Sequence, residues 1–282
     1  DAIIIEMTKT KAYFTYEEAL SASISYFNGN ELSARVFLDK YALRDNEQNL
    51  VEKTPEDMHR RIAKEFARIE KKKFKKPLSE EEIFQYLDRF KKIIPQGSPM
   101  YGIGNPFQTI SLSNCFVVES PLDSYAAICK ADEELAQIAK RRGGDGVDVA
   151  NIRPSGAITH NAARTATGTI PFCGRFSNTI REVGQNGRRG ALMITQSIHH
   201  PESVIPWDEA DGEEFFTDID DKDLGQFRIS SKYYNPKRLD FATMKYDRRK
   251  VTGANVSLRV TDEFLNAVEK GEKYQQRWPI NN

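Results

Sequence analysis

The strongest constraint on the fold is an alternation of strand-like and helix-like segments that begins after about residue 100. Strand-like runs are found at 109–118, 146–152, 191–198 and 255–260. Amphipathic helical segments follow three of these runs, and Thr261 is placed to cap the last helix. Alternation of this kind is typical of an α/β sheet or barrel.

The first hundred residues have a different pattern, which predicts helices. Thr54 and Pro55 are suited to begin a long helix, and Ser79 with Glu82 matches a capping box for another. A basic cluster at 71–76 follows the first of these helices. Cations are favoured at helix C-termini, so we interpret the cluster as a solvated helix end rather than a nucleic-acid site.

We therefore divide the chain into an N-terminal helical region, residues 1–95, and an α/β body, residues 96–282. Within the body, the segment 202–240 is first acidic and aromatic and then basic, and its periodicity is poor. We interpret this segment as an inserted excursion rather than part of the framework.

Charge and composition narrow the function classes. Lys+Arg and Asp+Glu each number 41, which disfavours a general nucleic-acid or membrane-surface binder. No apolar run approaches the roughly 18 residues of a membrane span. Three widely spaced cysteines and four histidines without ligand-like spacing predict neither a disulfide framework nor a metal site, and His59 is assigned to a surface helix. We expect a cytoplasmic protein that binds neither nucleic acid nor membrane.

Two segments rich in glycine and arginine join predicted helices to predicted strands: 141–149, RRGGDGVDV, and 184–194, GQNGRRGALMI. Glycine lets the backbone approach a ligand closely, and arginine can fork onto a phosphate or a base edge. Neither segment fits a Walker A loop or a dinucleotide fingerprint, and an ordinary loop remains an equal alternative. Cys115 lies in the strand-like run 109–118, where packing and a reactive role are both open.

The order of six segments resembles the catalytic (large, or alpha) subunit of ribonucleotide reductases. These segments are PQGSPM, SLSNCFV, RRGGDGVDVANIRPSG, PFCGRFSNTIREVGQNGRRGALM, HHPES and KVTGANVSLRVTDEFL. The family fold is a ten-stranded α/β barrel of two antiparallel five-stranded halves, preceded by a helical region. The resemblance implies that this chain supplies the helical region and roughly the first half of the barrel.

The resemblance also implies roles for residues of a substrate site. Cys115 resembles the first of two redox cysteines, which deliver electrons to the 2′-carbon of the ribose and then form a disulfide. Ser98 resembles the residue that helps hold the substrate phosphate, and Asn114 lies at the substrate ribose. Gly144 is assigned to substrate binding with them.

The two glycine- and arginine-rich segments resemble the allosteric specificity loops, which bind a dNTP or ATP effector: RRGGDGVDVANIRP the first loop and GQNGRRG the second. Arg153 would meet the effector phosphate, and Asp123 would contact the effector at a dimer interface. In the second loop, Gln185, Arg188 and Arg189 would carry effector information to the substrate base.

The sequence departs from the family in ways that limit the activity expected of this chain. The Asn-x-Cys-x-Glu motif of the radical-bearing cysteine, the second redox cysteine and the N-terminal ATP-sensing module are not recognisable. Cys129 and Cys173 fit neither cysteine role and are interpreted as packing residues. We expect a natural half or a truncated portion of a ribonucleoside-diphosphate reductase, inactive without its C-terminal half.

The resemblance implies several partners: the C-terminal half, a second copy in a homodimer, and a reductant of the thioredoxin or glutaredoxin type. The radical would come from adenosylcobalamin or from a metal-containing radical-generating subunit. The similarity is slightly closer to the family members that depend on adenosylcobalamin. No metal ligand is assigned within this chain. The alternative function is a non-catalytic, regulatory dNTP-binding protein derived from the same fold.

Overall fold

The computed structural model describes residues 13–183, 190–204, 240–246 and 251–279. The chain divides into two compact units. The first runs to Asn114 and includes Arg141–Gly143, and the second contains Cys115–Lys140 and the described residues from Gly144 onward. None of the helices in the described ranges is both long enough and apolar enough to cross a membrane.

The first unit is built from helices, as the sequence predicts. They are α1 (Tyr16–Tyr26), α2 (Glu31–Lys40), α3 (Pro55–Lys73), α4 (Glu80–Leu87) and the short α5 (Gly97–Gly102). Pro55 is the first residue of α3, and the Thr54 N–H donates to the Asp57 carboxylate at 3.1 Å. Ser79 and Glu82 form the capping box of α4. These caps satisfy backbone N–H groups that a helix end leaves without partners.

The core of the first unit lies along α3, where Met58, Ile62 and Ala63 are fully buried. His59 is also fully buried, and its ring meets the edge of Phe90 with centroids 4.6 Å apart. Neither ring nitrogen has a hydrogen-bond partner within the described ranges, and burial lowers the pKa of His59 to about 4. The placement of His59 on a surface helix was therefore wrong, since it follows Met58 and precedes Ile62 by three positions on the buried face.

The second unit alternates strands and helices. Its elements are β1 (Cys115–Val117), α6 (Tyr125–Ala139), β2 (Gly144–Asp148), α7 (Ile170–Glu182), β3 (Leu192–Ser197), β4 (Asn255–Arg259) and α8 (Asp262–Lys270). Within the described ranges the strands form one parallel sheet in the order β1-β2-β3-β4, and this sheet is not closed. A helical region followed by a parallel α/β region confirms the predicted fold class.

One face of this sheet is covered and the other is open. Val147 and Ile194 are register partners on the covered face, and they pack in one core with Leu135 of α6 and Phe176 of α7. On the opposite face Val117 of β1 is 91% exposed. Side chains alternate between faces along a strand, so this open face continues across β2, β3 and β4.

The predicted strand 109–118 is wrong over its first six residues, because only Cys115–Val117 are in β1. The Ser111 hydroxyl donates to the carbonyl of Ser113 at 2.9 Å and accepts from the Ser113 N–H at 3.1 Å. Local bonds of this kind offer the backbone an alternative to a strand ladder. The alternating pattern of Thr109, Ser111 and Ser113 therefore marks a serine-stabilised loop that leads into a short strand.

Candidate functional site

The first unit brings together Ser98 and Asn114, both predicted to be substrate residues. Ser98 is fully buried in α5, and its N–H donates to the Asn114 side-chain oxygen at 3.0 Å. Its hydroxyl donates to the carbonyl of Arg142 at 3.0 Å. The Arg142 guanidinium lies 4.1 Å from the centre of the Tyr101 ring and donates to the carbonyl of Lys40. Ser98 is thus fixed by hydrogen bonds on both its backbone and its side chain.

In the second unit, Cys115 and Gly144 are direct neighbours across β1 and β2, where their Cα atoms are register partners. Cys115 is exposed. Cys173 is buried in the core as predicted, and burial raises the pKa of its thiol. Cys129 is exposed on α6, so its interpretation as a packing residue was wrong. Cys115 is the only one of the three cysteines that lies on a strand of the sheet.

Asp123 and Arg153 form a close ion pair, although 30 positions separate them in the sequence. Arg153 Nε donates to Asp123 Oδ2 at 2.6 Å, and the Arg153 backbone N–H donates to Asp123 Oδ1 at 3.1 Å. Arg153 Nη1 also donates to the carbonyl of Ile158 at 2.9 Å. The guanidinium is held in one orientation, with about a third of its side chain still exposed.

This ion pair lies in the wall of an open cavity of about 380 Å³ in the second unit. The N-terminal end of α6, the loop 152–168 and Phe172 of α7 surround the cavity. Side chains in its wall include Asp123, Tyr125, Arg153, His160, Thr165 and Phe172. The lining therefore combines aromatic surface with a cation, an anion and hydroxyl groups, as small-molecule sites commonly do.

Glu202 fixes the loop that forms one side of the cavity. Its buried carboxylate accepts from the Ser155 N–H at 3.1 Å, from the Thr169 N–H at 2.8 Å and from the Thr169 hydroxyl at 3.0 Å. Gly168 has φ +85° and lies against this carboxylate, where a Cβ atom would overlap it. Glu202 received no role from the sequence, because its partners are 33 and 47 positions away.

The histidine pair 199–200 begins two residues after the end of β3, and both residues make structural contacts. His200 is buried, and its Nε2 is 2.8 Å from the carbonyl of Ile152, while the Glu202 N–H donates to its Nδ1 at 3.1 Å. Burial lowers the pKa of His200. Among the described residues no cluster of three His, Cys, Asp or Glu side chains is arranged to hold a metal ion.

Some predicted features lie outside the described residues. They include Gln185, Arg188 and Arg189 of the second loop and most of the excursion, residues 205–239. The chain on either side of residues 205–239 meets, because the Phe241 N–H donates to the Glu202 carbonyl at 2.8 Å and the Ala242 N–H donates to the Ser203 carbonyl at 3.2 Å.

Comparisons with known proteins agree with this architecture. The family model described as ribonucleotide reductase, all-alpha domain, matches residues 27–105, and the model described as ribonucleotide reductase, barrel domain, matches residues 113–281. The chain is 28% identical over 175 residues to the ribonucleoside-diphosphate reductase subunit alpha of Helicobacter pylori, which covers 62% of this chain and 21% of that protein.

Other relatives match over shorter stretches but with higher sequence identity. Identity is 39% over 85 residues with the ribonucleoside-diphosphate reductase large subunit of Arabidopsis thaliana, covering 29% of this chain and 10% of that protein. It is 34% over 97 residues with large chain 2 of the same enzyme from Saccharomyces cerevisiae, covering 34% and 11%. The matched region thus spans between a tenth and about a fifth of the length of these relatives. The barrel-domain model covers more than half of the chain, and the protein belongs to the ribonucleotide reductase large-subunit family.

Proposed function

We propose that this chain supplies the effector-binding site, part of the substrate site and one redox thiol of a ribonucleotide reductase. The observation that carries the proposal is the Asp123–Arg153 pair in the wall of the 380 Å³ cavity. The cavity volume is in the range of small-ligand sites. The family to which the chain belongs acts on nucleotides, so we take a nucleotide as the ligand.

The two charged side chains would divide the effector between them. A guanidinium can bind phosphate oxygens through two parallel N–H groups, and Arg153 is already oriented by Asp123 and by the Ile158 carbonyl. A carboxylate accepts hydrogen bonds, so Asp123 is suited to a sugar hydroxyl. Tyr125 and Phe172, whose ring centroids are 5.9 Å apart, add aromatic surface for the remainder of the nucleotide. A dNTP or ATP effector would use all three features.

The substrate residues would be Ser98 and Asn114 in the first unit, and Gly144 and Cys115 in the second. A substrate phosphate would compete with the Asn114 amide oxygen for the Ser98 N–H, releasing the amide toward the ribose. Gly144 has no side chain beside Cys115 on the sheet, which leaves the thiol accessible to a substrate on the open face.

In the proposed reaction, Cys115 and a second thiol each lose one electron and one proton as a disulfide forms between them. The C2′–O bond of the ribose is replaced by a C–H bond, and the 2′-hydroxyl leaves as water. A reductant of the thioredoxin or glutaredoxin type would return the disulfide to two thiols.

A C-terminal half would supply the second redox thiol and the radical-bearing cysteine, whose motif this sequence does not contain. Adenosylcobalamin or a metal-containing radical subunit would supply the radical when present. No residue of this chain is assigned to binding adenosylcobalamin or to generating the radical. The chain's residues would bind the effector and the substrate and supply one redox thiol. We also propose that two copies of the chain assemble as a homodimer.

The direct test is calorimetric titration of the full chain with dTTP and dATP. We expect saturable binding that Arg153→Ala weakens by about tenfold or more, because a charge-assisted hydrogen bond is worth about 1.5–3 kcal/mol. Arg175→Ala is the matched control, since Arg175 makes a similar 2.7 Å ion pair with Asp132 in the same unit, outside the cavity wall. Absence of binding to the wild-type chain would contradict the proposal.

A non-catalytic dNTP-binding protein is the second candidate, because the Asp123–Arg153 cavity by itself needs no thiol chemistry. The two functions differ in the role of Cys115. Mixing this chain with a candidate C-terminal half and a dithiol, and measuring deoxycytidine diphosphate made from cytidine diphosphate, separates them. Effector binding without product from any such mixture would favour the second candidate.

A further inference from the structure

The segment 272–279, which follows α8, returns along the end of β3 and is held there by polar and aromatic contacts. The Arg277 N–H donates to the His199 carbonyl at 2.6 Å, and the Gln276 side chain donates to the Ile198 carbonyl at 3.3 Å. The Tyr274 hydroxyl is hydrogen-bonded to His199 Nδ1, and the two rings stack with centroids 5.5 Å apart. Arg277 also forms two bonds of 3.0–3.1 Å with the Glu263 carboxylate.

These contacts place Trp278 beside Arg153, which is one of the residues in the cavity wall. Its ring centre lies 6.0 Å from the Arg153 guanidinium carbon, within the range of a cation–π interaction. Arg153 is therefore held by three groups: the Asp123 carboxylate, the Ile158 carbonyl and the Trp278 ring. Of the three, only the ring leaves all the N–H donors of the guanidinium available for other acceptors, since a π face accepts no conventional hydrogen bond.

The indole N–H of Trp278 is buried, and no acceptor for it lies within the described ranges. An unpaired buried donor is destabilising, so hydrogen bonding does not explain a tryptophan here. The contribution that remains is the face of its ring, and phenylalanine could supply that face without the unpaired donor.

We propose that Trp278 is a positioning residue for the phosphate-binding arginine: its ring holds the Arg153 guanidinium toward the cavity. This inference rests on the proposed effector function of the cavity and adds a positioning residue to it. It also makes the 272–279 segment part of the effector site, although the segment follows Arg153 by more than a hundred residues.

The experiment compares Trp278→Leu and Trp278→Phe by calorimetric titration of the full chain with dTTP. We expect the leucine variant to bind about three- to fivefold more weakly, as expected for loss of one partly exposed cation–π contact. The phenylalanine variant should bind within about twofold of wild type, because it keeps a ring face for the guanidinium. Rescue by phenylalanine is an outcome that simple loss of packing volume does not predict, since leucine also fills space.

Phe264→Leu is the matched control. Phe264 packs edge-on against Tyr274 of the 272–279 segment, with ring centroids 5.1 Å apart, so the variant removes an aromatic contact of the segment other than the one to Arg153. This variant should leave dTTP affinity within about twofold of wild type.

A second readout does not depend on the leucine variant folding. In a Trp207→Phe background Trp278 is the sole tryptophan, because the chain contains two. Its emission should change on addition of dTTP, with the same midpoint as the calorimetric titration. Equal dTTP affinity in wild type and Trp278→Leu, or dTTP binding with no change in Trp278 emission, would overturn the inference alone. A wild-type chain that binds no dTTP would overturn the proposed effector function and the inference with it.

Discussion

Asp145 is the residue at which a single substitution should change stability most informatively. It is the second residue of β2, 6% exposed, and its register partners Phe116 and Leu192 lie on the covered face of the sheet. Neither carboxylate oxygen has a hydrogen-bond partner in the ranges that the structure describes. Burial raises the pKa of Asp145 from 3.8 to about 7, since a low-dielectric surrounding disfavours the charged form.

The sign and size of the effect follow from these two pKa values. Between them the unfolded chain has lost the Asp145 proton while the folded chain retains it, so the free energy of unfolding falls as the pH rises. The fall begins near pH 3.8 and is complete slightly above pH 7. The interval corresponds to about 4 kcal/mol, because each pKa unit is worth about 1.4 kcal/mol.

Asp145→Asn removes the charge and should therefore stabilise the protein in a pH-dependent way. Near pH 3 the variant should match wild type, because below both pKa values the aspartate is largely neutral in both states. At pH 8 we expect a gain of about 2–4 kcal/mol, the lower figure allowing for an unpaired amide in the same place.

Urea denaturation at pH 5 and pH 8, followed by tryptophan fluorescence and circular dichroism, measures the gain. Asp148→Asn on the same strand is the control: Asp148 accepts from Arg259 Nε and from the Thr195 hydroxyl, both at 2.7 Å. That variant loses an ion pair and should be less stable at pH 8. If the gain from Asp145→Asn were the same at both pH values, the argument from an unpaired carboxylate would be refuted.

Three further predictions concern single contacts. Gly168→Ala should lower the free energy of unfolding by about 2 kcal/mol or more, because the residue has φ +85° and its new methyl group would overlap the Glu202 carboxylate, and thermal melting should show the loss. Arg61→Met should destabilise the first unit by about 3–5 kcal/mol in chemical denaturation, since it leaves the buried Glu52 carboxylate, 2.6 Å from Arg61 Nε, without its cation; a loss below about 1 kcal/mol would contradict this. Cys115→Ser should change stability by less than about 0.5 kcal/mol and leave dTTP binding intact, because the thiol is exposed. It should abolish multiple turnover of the reconstituted enzyme, and full turnover with a dithiol would argue against a redox role.

Features that depend on neighbouring residues were predictable from the sequence. Thr261 caps α8 as predicted, accepting from the Phe264 N–H at 3.3 Å, and Pro55 begins α3. Capping depends on side chains three or four positions apart, so a short stretch of sequence contains all the partners. The strand order could not be read in this way, because a parallel register depends on side chains far apart in the chain.

The contacts around the cavity also could not be predicted from the sequence, because they join residues far apart in the chain. Asp123 and Arg153 were each proposed as effector residues from the resemblance, but their ion pair joins positions 30 apart. Glu202 and Trp278 received no role, because each acts through residues far away in sequence. Asp145 gave no signal either, since an aspartate in a glycine-rich segment is ordinary loop chemistry until burial makes it unusual.

The open face of the sheet bears on both the stability of the second unit and the redox role proposed for Cys115. Val117, Gly146, Met193 and Asn255 form one register row across all four strands, and Val117 and Met193 are 91% and 40% exposed. Parallel sheets in proteins are normally covered on both faces, so we expect the proposed C-terminal half to cover this row. Cys115 lies on the same face, two positions before Val117. A C-terminal half that covers this row would therefore also exclude water from the thiol, and we expect the second unit to gain stability and a protected redox site in the same association step.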